Sequence, residues 1–170
     1  TIRFYGCPAE EMLSGKVWMV REGVFEGVDA VLSHHPSQFN YASLSSSNAN
    51  NAAKFHFYGK TSHAAGSPEQ GRSALDAVEL MNVGVNYRRG HVIQDARFHY
   101  VTEEGGGQPN VVPDYARVWY LVRAPERDQV AHSYEWGCRI AEGAALMTGT
   151  APKVELKTAH NNRPPNRTLP

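Results

Sequence analysis

The chain of 170 residues carries 17 lysines and arginines against 17 aspartates and glutamates, so its formal net charge is zero. This balance argues against a general nucleic-acid binder, which usually shows an excess of basic residues. The hydrophobic fraction of 41% is typical of a globular protein, and no apolar run reaches the roughly 18–20 residues that span a bilayer.

Residues 1–36 predict a short strand, a turn, a helix and a second strand. The first strand covers residues 2–5, the helix begins near Glu10, and the apolar stretch 28–33 is the second strand. Residues 37–52 are rich in serine and asparagine, as surface crossovers are. We therefore expect a first domain over residues 1–48, as a partial α/β segment.

Beyond residue 48 the strand–helix–strand unit occurs twice. Phe55 and Phe57 lie on one face of the first strand, and Gly149 follows the second helix as a C-cap. The order βαββαβ predicts an α+β domain, a four-stranded antiparallel sheet with two helices on one face. The predicted elements are strands at 54–58, 97–102, 117–123 and 153–157, and helices at 73–89 and from 125 to 148. We expect this domain to cover residues 49–162, with residues 163–170 returning toward the first domain.

Two adjacent acids, Glu10 and Glu11, precede a histidine pair at His34 and His35. Neighbouring acids on a turn point in different directions, so one can bind a metal ion while the other takes a proton from bound water. The alternative is that both acids form a solvated helix start, where carboxylates are stabilised by the helix dipole.

His63 lies in a loop of small residues between a strand and a helix, where an imidazole could reach a ligand. The preceding Gly59-Lys60-Thr61 is not a phosphate loop, since Lys54 stands where that motif needs glycine. An inert loop histidine is the alternative. Asn110 follows a glycine-rich turn, which suits a substrate-facing loop and an ordinary hairpin equally.

Four segments carry a resemblance when they are taken together in chain order. They are Cys7-Pro-Ala-Glu-Glu, Ser33-His-His-Pro, Gly59-Lys-Thr-Ser-His-Ala-Ala and Pro109-Asn-Val-Val-Pro-Asp. The set resembles the aminoacylase/carboxypeptidase family of metallopeptidases, with the p-aminobenzoyl-glutamate amidohydrolases as the most similar branch. The resemblance implies a catalytic domain that binds two divalent metal ions, zinc or manganese. It also implies an inserted βαββαβ lid domain through which the enzyme forms a homodimer.

The resemblance assigns a role to five residues. They are Glu10 as the general base, Glu11 and His35 as metal ligands, His63 as the lid histidine that stabilises the oxyanion in the partner subunit's active site, and Asn110 as a substrate contact. His35 is preferred to His34 because the family commonly has tryptophan at the position of His34.

The implied reaction is hydrolysis of the amide bond in N-acyl or N-aroyl amino acids. Only two of about five ligand positions occur here, too few for a closed two-metal site, so we expect a fragment that is inactive alone. Two cysteines, Cys7 and Cys138, favour reduced thiols and a cytoplasmic location, although a single bridge between them stays open.

A competing hypothesis is a non-catalytic α+β binding or regulatory module, since one fold serves many functions. It treats four aromatic residues as a platform for stacking bases. They are Phe55, Phe57, Phe98 and Tyr100.

Overall fold

A computed structural model describes residues 1–10 and 15–165. The chain divides into two compact units, the first over Thr1–Ser43 and the second beginning at Leu44. The described residues of the first unit include one helix, α1 (Gly15–Arg21). The rings of Tyr5 and Phe25 meet edge to face in this unit, with centroids 5.1 Å apart.

The strands predicted at 2–5 and 28–33 are not formed. Both segments lie in the first unit, where no described residue belongs to a β-ladder. A strand exists only where its backbone groups pair with those of a neighbouring strand. A local apolar pattern is therefore not sufficient for a strand in this unit.

The second unit has the predicted α+β fold, with one four-stranded sheet in the order β2-β3-β1-β4. Every neighbouring pair of strands is antiparallel. Two long helices pack on the same face of the sheet, α2 over β3 and β1, and α3 over β1, β3 and β4. The elements are β1 (Ala49–Tyr58), a 3₁₀ turn (Pro68–Gln70), α2 (Ala74–Arg88), a second 3₁₀ turn (Arg89–His91), β2 (Arg97–Glu104), β3 (Tyr115–Ala124), α3 (Arg127–Thr148) and β4 (Ala151–His160).

Local signals in the sequence set the ends of both long helices. The side chain of Ser73 accepts a hydrogen bond from the Asp76 amide at the start of α2. Glu126 and Gln129 form a reciprocal capping box at the start of α3, and Gly149 ends that helix with a left-handed φ of 67°. Within the described residues, no helix is both long enough and apolar enough to cross a membrane.

The core lies between the sheet and the two helices. Phe57 and Met81 are completely buried there, and the Tyr120 ring meets Phe55 edge to face. The helices approach closely at Gly84, where a Cβ atom would come within 2.7 Å of the Ile140 side chain. The absence of a side chain at this position allows the two helices to cover the sheet together.

The proposed platform of base-stacking aromatics does not exist. Phe55, Phe57 and Phe98 are each at most 4% exposed, on the face that the helices cover. Tyr100 stacks on Tyr120 at a centroid distance of 4.9 Å. Three of the four aromatic residues therefore belong to the core, and Tyr100, at 40% exposed, is the exception.

Both cysteines are free thiols, so no bridge joins them. Cys138 lies partly buried in α3 beside Tyr134. Burial raises the pKa of the Cys138 thiol, and it raises the pKa of the Tyr134 hydroxyl to about 12. Cys138 therefore remains protonated and takes part in packing rather than in thiolate chemistry.

Two methionines in the long helices provide a matched test of this core. We expect Met81→Ala to lower the free energy of unfolding by about 2–5 kcal/mol, because it leaves a cavity among buried side chains. Met147→Ala should change it by no more than about 0.5 kcal/mol, since Met147 is 68% exposed in α3. Urea unfolding followed by circular dichroism measures both values. Equal effects of the two substitutions would contradict this packing.

Candidate functional site

The backbone continues the sheet's hydrogen bonding into the loop that follows β1. The amide of Gly59 donates to the carbonyl of Asp114 at 2.7 Å. Lys60 and Arg72 then exchange two backbone hydrogen bonds, of 2.9 and 2.8 Å. A Cβ atom on Gly59 would lie 2.0 Å from the Arg72 carbonyl oxygen, so only glycine allows this approach. The loop is thus anchored at its base on both sides.

This anchoring brings the backbones of two of the predicted site residues close together. His63 forms an isolated β-bridge with Val111, the neighbour of Asn110. The amide of Ala64 donates to the Asn110 carbonyl at 2.9 Å. His63 and Asn110 therefore occupy adjacent positions on two paired segments, and both are exposed.

The side chain of His63 makes contacts within its own turn. Its Nδ1 atom accepts hydrogen bonds from the backbone amides of Ala65, at 3.2 Å, and Gly66, at 3.0 Å. The Ser67 amide donates to the His63 carbonyl at 3.0 Å and closes the turn. The imidazole is held by its inner nitrogen, which leaves Nε2 for an external partner.

A cavity of about 380 Å³ lies beside Asn110 in the connection between β2 and β3. Val111 and Gln108 line it next to Asn110, and Glu104 and Asp114 make it acidic. The paired segments thus border a concave surface of a size that suits part of a small molecule.

The remaining predicted site residues belong to the first unit. Glu10 is exposed, and its carboxylate lies 3.9 Å from the Lys16 ammonium group. His35 is also exposed, and its Nδ1 lies 2.8 Å from the Pro36 carbonyl oxygen. Glu11 lies outside the described residues. Within residues 1–10 and 15–165, no three histidine, cysteine or acidic side chains form a group suited to hold a metal ion.

The sheet face opposite the helices carries a charged cluster that the motifs in the sequence do not reveal. Glu103 forms ion pairs with Lys54 and with Arg117, each at 2.9 Å. The hydrogen bond from Lys54, together with the charge of Arg117, lowers the pKa of the Glu103 carboxyl group. The Lys54 ammonium also lies 4.9 Å from the centre of the Trp119 ring.

A second polar group on this face surrounds His56. Its Nδ1 lies 2.9 Å from the Tyr115 hydroxyl, and its Nε2 lies 3.4 Å from the Glu155 carboxylate. Lys54 and His56 alternate in sequence with the buried phenylalanines, and this alternation is the signal for a polar outer face. The partners on β2, β3 and β4 follow only from the strand register.

Comparisons with known proteins show what this chain is similar to. The family described as "Peptidase dimerisation domain" matches residues 46–133. A subunit of the p-aminobenzoyl-glutamate hydrolase of Escherichia coli (strain K12) is 52% identical over 99% of this chain and 35% of its own length. The Xaa-Arg dipeptidase of Mus musculus is 36% identical over 96% of this chain and 38% of its own length.

A solved structure, the aminobenzoyl-glutamate utilization protein from Klebsiella pneumoniae, is 26% identical with a TM-score of 0.65. The similarity covers 71% of this chain and 31% of that one. The chain therefore spans about a third of the length of the curated relatives it matches, 35% of the hydrolase subunit and 38% of the dipeptidase.

Two glycines provide a matched test of the anchored loop. We expect Gly59→Ala to lower the free energy of unfolding by about 1–3 kcal/mol or more, because the methyl group collides with the Arg72 backbone. Gly107→Ala should be close to neutral, since a Cβ atom there has no neighbour within 4 Å. Thermal unfolding of both variants measures the difference. If Gly59→Ala leaves the free energy of unfolding unchanged, the segments around residues 59 and 72 lie further apart than described.

Proposed function

Since the chain belongs to the Peptidase dimerisation domain family, we propose that it is the lid, with a strip of the catalytic domain, of a metal-dependent amidohydrolase. The substrates are N-acyl or N-aroyl amino acids of the p-aminobenzoyl-glutamate type. The family match and the 52% identity to a p-aminobenzoyl-glutamate hydrolase subunit agree with the resemblance seen in the four segments. Residues 1–48 are assigned to the catalytic domain, 49–162 to the lid and 163–170 to the return segment.

The observation that carries this proposal is the pairing of two chain segments that brings the backbones of His63 and Asn110 to neighbouring positions. In this proposal His63 donates a hydrogen bond from Nε2 to the oxyanion that develops on the scissile carbonyl. Asn110 contacts the substrate from the neighbouring segment, beside the cavity of about 380 Å³. Removing one oxyanion donor typically costs about 10²–10³ in kcat, so a fixed donor at this position is a large part of catalysis.

The residues of the first unit fit a metal site of this type. His35 has Nδ1 directed at a carbonyl oxygen 2.8 Å away, so Nδ1 carries the proton and Nε2 keeps its lone pair for a metal ion. Glu11 is proposed as the neighbouring ligand. Two divalent ions, zinc or manganese, would polarise the scissile carbonyl and activate water. We expect residues 1–170 alone to be inactive, because two ligands do not close such a site.

Glu10 is proposed as the general base. Its carboxylate is exposed, and its contact with Lys16 is long, at 3.9 Å, so little holds it away from an incoming substrate. It takes a proton from the attacking water and passes it to the leaving amine. A carboxylate in this role must not also be a metal ligand, which separates Glu10 from Glu11.

The relatives bear on the substrate class. One is named a p-aminobenzoyl-glutamate hydrolase subunit and another an Xaa-Arg dipeptidase, so both names describe an amide bond to an amino acid. We propose that this protein hydrolyses the same type of bond and that the catalytic domain selects the acyl group. A cytoplasmic location stays a prediction that rests on the two cysteines.

The lid is also proposed to form a homodimer through α2 and β2. Leu80, Val83 and Tyr87 are exposed apolar residues on one face of α2. Helix α2 packs over β3 and β1, and β2, the edge strand beside β3, has no lysine or proline. The other edge strand, β4, contains Pro152 and two lysines, which protect an edge against pairing.

The division of roles predicts complementation in the full-length enzyme. Glu10→Gln should keep the metal and lower kcat by at least about 10²-fold, the effect of losing a general base. His63→Ala should also keep the metal and lower kcat by about 10²–10³-fold, whereas Glu11→Gln should lose metal. Mixing inactive Glu10→Gln and His63→Ala subunits should restore activity, since one site of the mixed dimer has both groups.

The controls are Glu22→Gln and His132→Ala, two exposed residues without a proposed role, which should retain kcat and metal content. Metal is measured by elemental analysis, and kcat is measured with p-aminobenzoyl-glutamate. If subunits exchange but activity does not return, His63 does not act across the dimer. If no N-acyl or N-aroyl amino acid is cleaved by the metal-loaded enzyme, the proposed reaction is wrong.

The proposed dimer surface has its own test. Val83→Glu places a charge in the apolar face of α2, and burying it unpaired costs about 3 kcal/mol or more, which weakens the dimer roughly 100-fold. Leu146→Glu, at an 85% exposed position of α3, should leave the dimer unchanged. Sedimentation at micromolar concentration measures both masses. If the Val83→Glu protein remains dimeric, the dimer interface does not include this face of α2.

A further inference from the structure

We propose that the backbone amides of Ala65 and Gly66 orient the ring of His63 so that Nδ1 accepts their hydrogen bonds and the neutral ring carries its proton on Nε2. His63 is then a hydrogen-bond donor and cannot be a metal ligand through that atom. The role of the donor rests on the proposed function, but the position of the proton follows from the turn itself. Ala65 and Gly66 are thus positioning residues for His63.

The direction of the hydrogen bonds determines where the proton lies. A backbone N–H can only donate, so Nδ1 of His63 must present its lone pair to the Ala65 and Gly66 amides. A proton on Nδ1 would face two other N–H groups at 3.2 and 3.0 Å. The neutral ring therefore carries its proton on Nε2.

The turn that carries these donors is closed by further backbone contacts. The Ser67 amide donates to the His63 carbonyl at 3.0 Å, so the donors cannot move away without breaking a further hydrogen bond. The backbone of His63 is held in turn by the bridge to Val111. Both the ring and its hydrogen-bond donors are fixed to the same paired segments.

His35 shows the opposite arrangement. The Nδ1 of His35 faces a carbonyl oxygen, which can only accept, so that ring carries its proton on Nδ1. The backbone thus prepares His35 to bind a metal ion through Nε2 and His63 to donate through Nε2. The type of backbone partner, carbonyl or amide, assigns the two histidines to different chemistry.

Nuclear magnetic resonance of the ¹⁵N-labelled 170-residue chain tests the inference without metal or substrate. We expect couplings through the hydrogen bonds from the Ala65 and Gly66 amides to Nδ1 of His63, with the ring proton on Nε2. Exchange of these two amides should be about fivefold to tenfold slower than in His63→Ala, the effect of about 1 kcal/mol per hydrogen bond. A ring proton on Nδ1, or amide exchange equal to that in His63→Ala, would overturn it.

Matched variants separate the amide from the side chain. Gly66→Ala keeps the amide, and its Cβ fits at 3.4 Å from the ring, so the coupling to residue 66 should remain. Gly66→Pro replaces the amide hydrogen with the proline Cδ, which collides with Nδ1 of His63, so both couplings should disappear. Loss of both couplings in Gly66→Ala would show that the turn, and not the amide, holds the ring.

Kinetics of the full-length enzyme distinguish this inference from the proposed function. His63→Asn places a carbonyl oxygen where Nδ1 accepts but has no group at Nε2. We expect it to retain slow exchange of the Ala65 and Gly66 amides and to lose about 10²–10³ in kcat, as His63→Ala does. Slow exchange with full activity would refute the donor role and leave the proton position intact.

Discussion

The hydrogen bonding between β1 and β3 continues one residue beyond the end of β1. There the Gly59 amide donates to the carbonyl of Asp114, the residue that precedes β3. This contact directs the residues after Gly59 between the segment that precedes α2 and the segment that precedes β3. The exchange of backbone hydrogen bonds between Lys60 and Arg72 follows from it, and so does the bridge at His63. A loop fixed at its base in this way gives the side chain of His63 a defined starting position.

Much of the second unit could be predicted from local signals. Three of these signals act within a few residues, so the local sequence is sufficient to predict them. They are the phenylalanines on alternate positions of β1, the capping serine before α2 and Gly149 after α3. The motif segments also predicted His63 and Asn110 as site residues. Their adjacency did not follow from spacing, since they are far apart in sequence and meet only through backbone pairing.

The remaining features depend on distant partners. Glu103 is paired with Lys54 and Arg117 because β2, β3 and β1 lie in that order, and strand order is not a local property. The same limit explains the error in the first unit, where residues 2–5 and 28–33 have the composition of strands without ladder partners. Glycine at position 59 was visible, but the close approach that requires it depends on where residue 72 lies.

The groups that orient the ring of His63 belong to the main chain, and this has a consequence for how the turn tolerates substitution. Every amino acid except proline supplies the same N–H group. The side chain at position 65 can therefore change without altering which ring nitrogen of His63 accepts a hydrogen bond. A side-chain donor would have required one residue type at its position. The loop can vary the side chains on its outer surface while the backbone keeps the orientation of the ring unchanged.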